Sequence, residues 1–284
     1  MFILGTANFG NDYPGSQTYV DAPAAELIVK EFCNFGGTTL DTAEAYGKSL
    51  DIVQDLSRLL PSICTKFSSE LMLQPVQFRN YITNLIERFK NKLSVIFLHD
   101  IIHLHQVPNA SYAILKDFLD KYPNLKFGVS VYYPEEVFKA YDLLGCISVI
   151  QAPLNYFDRR FVTNNFKNFC SQRQITINYR SIFLQGKILL PRTQIHPYFK
   201  MFDQVETYYS DYQGSNYKSL MEFNINFVKK VADFSNVVLG VESATQIREL
   251  IGLIYEADVM HDTHEFSSVE FDDELCIPMK WKLT

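Results

Sequence analysis

No apolar run in the chain approaches the roughly 18 residues that a membrane span requires, which excludes a transmembrane helix as an organising element. There is no C-x-x-C pair, and the five cysteines (Cys33, Cys64, Cys146, Cys170, Cys276) are odd in number and far apart. That pattern fits reduced thiols better than a disulfide framework or a zinc site. Long runs of like charge are missing and the net charge is only −6, so nothing advertises a nucleic-acid surface. Neither G-x-G-x-x-G nor a P-loop occurs, which argues against Rossmann and Walker nucleotide sites. Internal repeats, low-complexity tracts and linker-like stretches are also lacking. The opening Met1-Phe2-Ile3-Leu4-Gly5 has no basic region and too short an apolar stretch for a secretory signal. These absences predict a soluble cytoplasmic protein with no nucleic-acid and no membrane partner.

Apolar residues, by contrast, are abundant: 47% of 284 residues, including 23 Phe and 17 Tyr, enough for one large core. Strand and helix signals alternate from end to end. Short β-branched or apolar runs fall at 3–6, 38–41, 62–66, 94–99, 126–131, 147–151, 175–180 and 236–241. Between them lie helical patterns at 24–35, around Ile52, Val53, Leu56, Leu59 and Leu60, and at 161–172, 217–232 and 244–255. The cleanest period is Phe78, Tyr81, Ile82, Leu85, Ile86 and Phe89, at i, i+3, i+4, i+7, i+8 and i+11. Another helix carries Tyr112, Leu115, Phe118, Leu119 and Tyr122, and Pro134-Glu135-Glu136 opens the next as proline and acids do in a first turn. Eight such alternations predict a parallel α/β barrel, a TIM-type (β/α)8 fold in a single domain over 1–284. A barrel of this kind is typically about 250 residues. Two segments break the rhythm: a long connection at 185–213 after the seventh strand, and an acidic then apolar tail at 261–284. Long connections in compact domains are usually functional. The tail is expected either to cross the top face and touch substrate or to pack on the outer helices.

Four residues carry chemistry. Asp41 and Tyr46 lie in Leu40-Asp41-Thr42-Ala43-Glu44-Ala45-Tyr46-Gly47, Lys66 ends Ser62-Ile63-Cys64-Thr65-Lys66, and His99 ends Val95-Ile96-Phe97-Leu98-His99. Each belongs at or just beyond the carboxyl end of a strand, where barrel enzymes collect catalytic groups. A carbonyl reduction needs a hydride at carbon and a proton at oxygen. Side chains supply no hydride, so a nicotinamide must, while the protein orients it and provides the acid. A free tyrosine, with a pKa of about 10, is a poor acid near neutral pH, and a neighbouring ammonium corrects this by stabilising the phenolate. Tyr46 is thus the expected acid, Lys66 its partner, Asp41 the group holding Lys66, and His99 the group orienting the carbonyl. A lone strand-end Asp, Tyr or Lys is more often structural; the joint occurrence on three successive strand ends is what counts.

The motifs and their order resemble the aldo-keto reductase family over nearly the whole chain. Leu4-Gly5-Thr6-Ala7-Asn8-Phe9-Gly10 is similar to its opening strand, Leu40–Gly47 to its Asp/Tyr signature, and Thr65-Lys66 and Leu98-His99-Asp100 to its lysine and histidine strands. Gly128-Val129-Ser130 resembles its G-V-S segment, Arg180-Ser181-Ile182-Phe183-Leu184-Gln185-Gly186 stands where the segment after strand seven does, and 239–250 is similar to the stretch binding the adenosine end. The resemblance implies an NAD(P)H-dependent oxidoreductase acting on a small-molecule carbonyl. It implies cofactor contacts from Gly5, Thr6, Asp41, Ser130, Gln151, Arg180, Ser181, Phe183, Gln185, Gln246 and Glu249. Ser130 and Gln151 would meet the nicotinamide carboxamide, Arg180 would pack beside the ring, Ser181 and Phe183 would lie near the pyrophosphate, and Glu249 near the adenine amino group. The ending Asp272-Asp273-Glu274 with Pro278-Met279-Lys280-Trp281 resembles bacterial members linked to surface-sugar pathways, which implies a sugar or nucleotide-sugar carbonyl.

Two departures matter. Family members usually follow G-V-S with Asn, and here Val131 stands instead. NADP-binding members carry basic residues for the 2′-phosphate, whereas Gly240-Val241-Glu242-Ser243-Ala244-Thr245-Gln246 has none and offers a carboxylate, so NADH is an expected cofactor. Phe9, Tyr13, Tyr46 and His99 are the expected substrate contacts. No metal site is expected: His103 and His105 form only an H-x-H, and Cys64 reads as a core thiol. The oligomeric state is open between monomer and small homo-oligomer. The alternative reading is a catalytically weak nucleotide-binding regulatory protein on the same fold, which turnover of a generic aldehyde would exclude.

Overall fold

The computed structural model describes residues 2–11, 19–259 and 264–283. Strands and helices alternate as β1 (Ile3–Gly5), α1 (Ala22–Asn34), β2 (Thr39–Asp41), α2 (Ser49–Leu56), β3 (Ser62–Phe67), α3 (Pro75–Phe89), β4 (Leu93–Leu98) and α4 (Asn109–Lys121). The second half continues with β5 (Lys126–Ser130), α5 (Pro134–Leu144), β6 (Val149–Pro153), α6 (Asn164–Gln172), β7 (Thr176–Arg180), α7 (Asp203–Gly214), α8 (Leu220–Val231), β8 (Val238–Gly240) and α9 (Ala244–Val259). A short α10 (Asp273–Cys276) lies in the tail. All neighbouring strands pair in parallel, in the order β7-β6-β5-β4-β3-β2-β1-β8. A single parallel bridge, Tyr179 with Val237, joins the two ends and closes the barrel.

The helices form where the sequence supplies both a start and an apolar face. Asp21 accepts a hydrogen bond from Ala24 N at 2.9 Å and Pro23 sits in the first turn of α1, while Ala25, Ile28, Val29 and Phe32 bury one stripe. In α3, Phe78, Ile82, Leu85 and Phe89 do the same behind Pro75. Before α5, Glu136 accepts from the amides of Tyr132 (2.7 Å) and Tyr133 (2.9 Å), and Gly145 ends the helix with φ +63°. The α2 pattern differs from expectation: the α-helix stops at Leu56 and continues as a 3-10 turn over Ser57–Leu59.

The largest correction falls in the connection at 185–213, which is not continuous loop. It contains two 3-10 turns and the twelve-residue helix α7. Its buried face is Val205, Tyr208 and Tyr209, with Tyr212 packed one turn on, a helical i, i+3, i+4, i+7 set carried by tyrosines. Each of the first two phenols finds a backbone acceptor: Tyr208 donates to Ile188 O (2.7 Å) and Tyr209 to Leu190 O (2.6 Å), tying α7 to the segment after β7.

Inside the barrel, Cys64, Val95, Phe97 and Val149 form a small cluster of their own, and Gly128 makes room for it. A Cβ at Gly128 would stand 2.3 Å from Val149 O and 2.7 Å from the Phe97 ring. The tail lies over the loops at the top of the barrel on the β5–β7 side. Ser267 donates from its amide (2.7 Å) and hydroxyl (2.6 Å) to Asp211 of α7, which also accepts from Tyr156 OH at 2.6 Å. Tyr133 donates to Asp273 (2.8 Å), Tyr198 to Glu274 O (2.7 Å), and Trp281 meets Phe199 edge-on at 5.0 Å. No described helix is long and apolar enough to cross a membrane.

Candidate active site

Asp41 is the last residue of β2 and is buried. Beyond it the ladder continues into the turn, with Thr42 N donating to Cys64 O (2.9 Å) and Glu44 N to Lys66 O (3.0 Å). A buried hydroxyl cluster fixes this turn. Thr6 Oγ1 donates to Asp41 O (3.0 Å) and lies 2.7 Å from Ser49 Oγ, which donates to Thr6 O (2.8 Å) and lies 3.0 Å from Thr42 Oγ1. Thr6 is therefore spent on anchoring the β1 and β2 ends, and its side chain is wholly buried. Ser49 and Thr42 are missed by sequence reading; small hydroxyls flanking the Asp/Tyr motif were the only available signal.

The turn presents Tyr46, half-buried, to the ends of β3 and β4. Lys66, fully buried in β3, donates to Asp41 Oδ2 (2.5 Å) and Thr42 O (3.1 Å), and its Nζ lies 5.2 Å from the centre of the Tyr46 ring. Burial works against the Lys66 ammonium, but the Asp41 carboxylate and the Tyr46 oxygen outweigh it and hold the group above the usual lysine range. The second Asp41 oxygen accepts from Gln151 Nε2 at 2.9 Å, so the buried carboxylate is held from β3 and β6 at once. His99, one residue beyond β4, stands edge-on to Tyr46 with ring centres 5.9 Å apart and planes at 83°. Burial, then the charges of Lys66 and Arg180, push its pKa down to about 4 against the opposing pull of Asp41 and Asp100, so the imidazole is neutral at physiological pH.

Asp100 is a third residue that sequence reading left without a role. It accepts from Ser68 Oγ (3.1 Å), Ser69 N (3.4 Å), Ser69 Oγ and Ile102 N (3.1 Å), pinning the loop that bears His99 to the loop that follows β3. Four strand ends thus bring Asp41, Tyr46, Lys66, His99 and Gln151 together.

On the far side of the mouth, Ser130 pairs with Gln151 across β5 and β6, and Pro153 with Arg180 across β6 and β7. Val131 contributes its carbonyl, which accepts from Arg180 Nη2 at 3.1 Å, and the guanidinium lies 4.3 Å over the Tyr132 ring. Arg180 Nη1 also reaches Ser181 Oγ at 3.4 Å. The segment after β7 is strained: Ser181 (φ +63°), Leu184 (+44°), Gln185 (+53°) and Gly186 (+77°) all occupy the left-handed region. Such residues cost roughly 1–2 kcal/mol each for a non-glycine and concentrate at functional sites. Phe183 packs against the core and Gln185 is half-buried.

The rim after β8 is built differently from expectation. Gln246 Oε1 accepts from Glu242 N (2.7 Å) and Gln246 N donates to Ser243 Oγ (3.2 Å), so this glutamine caps α9. Gly5 pairs with Gly240 at the barrel end, and Asn8 Nδ2 donates to Val241 O at 2.8 Å. Arg248 donates to Glu31 of α1 at 2.9 Å. Arg248 and Glu249 line a cavity of about 750 Å³ with Leu189, Arg192, Tyr212 and Leu253, between the segment after β7 and helices α7 to α9. None of Tyr46, Lys66 or His99 lines it. The expected substrate contact Phe9 is instead a wholly buried core ring bridged to Val20, and Tyr13 lies outside the described residues.

Comparisons with known proteins agree with this architecture. The model of the aldo/keto reductase family matches residues 2–267. An aldo-keto reductase from Bacillus halodurans solved in its holo form superposes with a TM-score of 0.66 at 14% identity, covering 96% of this chain and 89% of that one. One from Klebsiella pneumoniae, solved in complex with NADPH, gives 0.61 at 14% identity, covering 94% of each chain. A thermostable aldo-keto reductase solved with the inhibitor epalrestat gives 0.65 at 16% identity, covering 92% and 90%. No curated protein matches the sequence. At such identities the structures establish a shared fold, and the family match extends it across the site-bearing strands: this chain belongs to the aldo/keto reductase family.

Proposed function

We propose that the chain is an NAD(P)H-dependent oxidoreductase that reduces an aldehyde or ketone, with Tyr46 as the general acid. One observation carries the reading: a buried Asp41 carboxylate, held by Lys66 and Gln151, keeps an ammonium beside the Tyr46 ring while the neutral His99 ring stands against its edge. The phenol gives its proton to the carbonyl oxygen, and Lys66 stabilises the negative charge left on the phenol oxygen. His99 donates a hydrogen bond that fixes the carbonyl oxygen within reach of Tyr46. Being uncharged, it does so without competing with Tyr46 as a proton source.

The mouth also suits a dinucleotide. Ser130, Gln151, Arg180 and Ser181 would hold the nicotinamide end, which when bound supplies the hydride. The left-handed residues Leu184, Gln185 and Gly186 favour an anion, since backbone that leaves the right-handed region in this way turns N–H groups into a concave nest. Gly5, Thr6, Phe183 and Gln185 shape the floor and side of that path, and Gln246 and Glu249 stand at its adenosine end. At that end, Arg192 pairs with Glu206 and Arg248 with Glu31, so each guanidinium already holds a carboxylate that would repel a 2′-phosphate. With those pairings, and with Glu242 as the charged residue of 240–246, the rim suits NADH at least as well as NADPH. A sugar or nucleotide-sugar carbonyl is the proposed substrate class.

The test is oxidation of each reduced nucleotide with a panel of aldehydes and sugar carbonyls, in parent and Tyr46→Phe proteins. Loss of the acid is expected to lower turnover roughly a hundredfold or more while nucleotide affinity stays nearly intact. Activity within about tenfold of the parent would remove Tyr46 from that role. A preference of about tenfold or more for NADPH would mean that Arg192 or Arg248 leaves its glutamate for the phosphate. A chain that binds nucleotide and turns over nothing would be regulatory instead.

A further inference from the structure

Tyr46 stands on a turn and not on a strand, so its distance from Lys66 depends on what holds that turn. Gly47 and Lys48 separate it from Ser49, whose amide donates to Tyr46 O at 2.9 Å. Serine at the start of a helix ordinarily caps it by accepting from an amide two or three residues on. Ser49 does not. It is the first residue of α2, the capping position belongs to Lys48, and its wholly buried hydroxyl is directed at the barrel end instead. There Ser49 Oγ donates to Thr6 O (2.8 Å) and lies 2.7 Å from Thr6 Oγ1 and 3.0 Å from Thr42 Oγ1. Each hydroxyl has one proton to give. With that of Thr6 on Asp41 O and that of Ser49 on Thr6, the proton of Thr42 goes to Ser49, and all three hydroxyls are satisfied.

Thr42 carries the other half of the arrangement. Its carbonyl accepts from Lys66 Nζ at 3.1 Å, and that nitrogen lies 5.2 Å from the centre of the Tyr46 ring. A closed circuit results: Tyr46 O to Ser49 N, Ser49 Oγ to Thr42 Oγ1, Thr42 O to Lys66 Nζ, and Lys66 back to the phenol ring. The Ser49 hydroxyl is the link that joins the turn bearing the phenol to the strand end holding the ammonium. Thr6, through Asp41 O, ties the same hydroxyl to the residue whose carboxylate holds Lys66.

We propose that Ser49, with Thr42, is a positioning residue for the proton donor: its hydroxyl sets the separation of the Tyr46 phenol from the Lys66 ammonium. This rests on the reading of Tyr46 as the general acid and adds a residue that acts through it. Coulomb stabilisation falls with distance, and a phenolate left further from its ammonium holds its proton more tightly, which makes a weaker acid. Removal of the hydroxyl also leaves Thr6 O and the Thr42 hydroxyl short of a buried partner, which the turn relieves by moving.

The test is the pH dependence of carbonyl reduction in Ser49→Ala and in Thr42→Val, the second of which breaks the link to Ser49 while keeping the branched shape of threonine. Among the described residues the ionisable groups around Tyr46 are Lys66 of β3, His99 after β4 and, behind Lys66, Asp41 of β2, with Glu44 and Lys48 on the turn itself. Loss of an uncharged hydroxyl leaves those charges in place, so a moved profile reports geometry. Each variant is expected to lower kcat/KM about tenfold and to move the alkaline loss of activity upward by about half a pH unit or more. Added to Tyr46→Phe, neither should lower the residual turnover by more than about twofold, because a residue that acts through Tyr46 then has nothing left to act on. A fall in activity with an unmoved alkaline limb, or a further loss of the same size in the Tyr46→Phe background, would assign Ser49 to the stability of the fold alone and overturn the proposal. Where Ser49→Ala is too unstable to assay, Thr42→Val decides. In a chain that reduces nothing, the titration of the labelled tyrosine ζ-carbon NMR signal, assigned by its loss in Tyr46→Phe, replaces turnover. A midpoint moved upward in the variants would uphold the positioning role and leave the reductase reading alone to fall; an unmoved midpoint overturns the proposal.

Discussion

The Asp41–Lys66 pair is the residue-scale feature on which most depends. Its desolvation is nearly complete, so its strength lies less in net stability than in the penalty for breaking it. Lys66→Met strands the Asp41 carboxylate with only Gln151 as donor, and a loss of about 3–5 kcal/mol in unfolding free energy is expected. The double variant Asp41→Asn/Lys66→Met removes both charges and should recover part of that loss. Denaturant titrations of the three proteins decide the matter, and equal destabilisation by single and double variants would mean that the pair is not coupled. His99 makes a pH-dependent contribution of opposite character. Its imidazole titrates near 6.5 in an unfolded chain and at about 4 here, so folding is favoured by the neutral ring. That contribution is fully present above pH about 6.5 and disappears as the pH falls toward 4, amounting to about 3 kcal/mol at most. His99→Gln should flatten this part of the stability profile between pH 7 and 4.5, measured by melts at the two values; an unchanged slope would refute the buried neutral imidazole. At this scale the gathering of Asp41, Tyr46, Lys66 and His99 was legible because three of them stand at the ends of strand-like runs and the fourth in the turn that follows one. Thr42, Ser49 and Asp100 were not, because their hydrogen bonds join residues up to 43 positions apart and leave no local trace.

At the scale of elements, the strand and helix alternation was legible from periodicity, since each unit buries one face. Helix α7 escaped because its buried stripe is mostly tyrosine, a weaker helix former than the aliphatic residues that mark the other helices, and because Pro191 and Pro197 mark the preceding stretch as irregular. The tyrosine hydroxyls declare themselves only when their acceptors, Ile188 O and Leu190 O, are placed. Two glycines illustrate opposite element-level demands. Gly128 in β5 has no room for a methyl group against Val149 O, which is backbone and cannot turn aside. Gly128→Ala is therefore expected to cost about 3 kcal/mol or more, the upper range of overpacking. At Gly186, φ is +77° and nothing lies within 4 Å of an added Cβ, so alanine there costs only backbone strain, about 1 kcal/mol. Thermal melts of both variants rank them; a Gly128→Ala protein as stable as the parent would contradict the packing of the barrel interior.

On the scale of the whole molecule, the barrel is a ring with unequal joints. Strands β3 and β4 share five paired positions, whereas β7 and β8 meet at the one bridge between Tyr179 and Val237. Free energies of local opening follow the number of buried backbone bonds that must break together. The joint beside β8 is thus expected to part well before the rest, on a pathway that leaves β3 and β4 intact. Native-state hydrogen exchange should report early loss of protection at β8 and the end of β7, with β3 and β4 exchanging only on global unfolding. Uniform protection round the ring would show that it opens only as a unit. The weak joint also lies beside the proposed dinucleotide path. The strained segment from Ser181 to Gly186 leaves the barrel on one side of it, and the Asn8–Val241 tie and the start of α9 stand on the other. A transient parting there would widen the path that the dinucleotide is proposed to follow, and would open it through the side of the barrel and not only from the top.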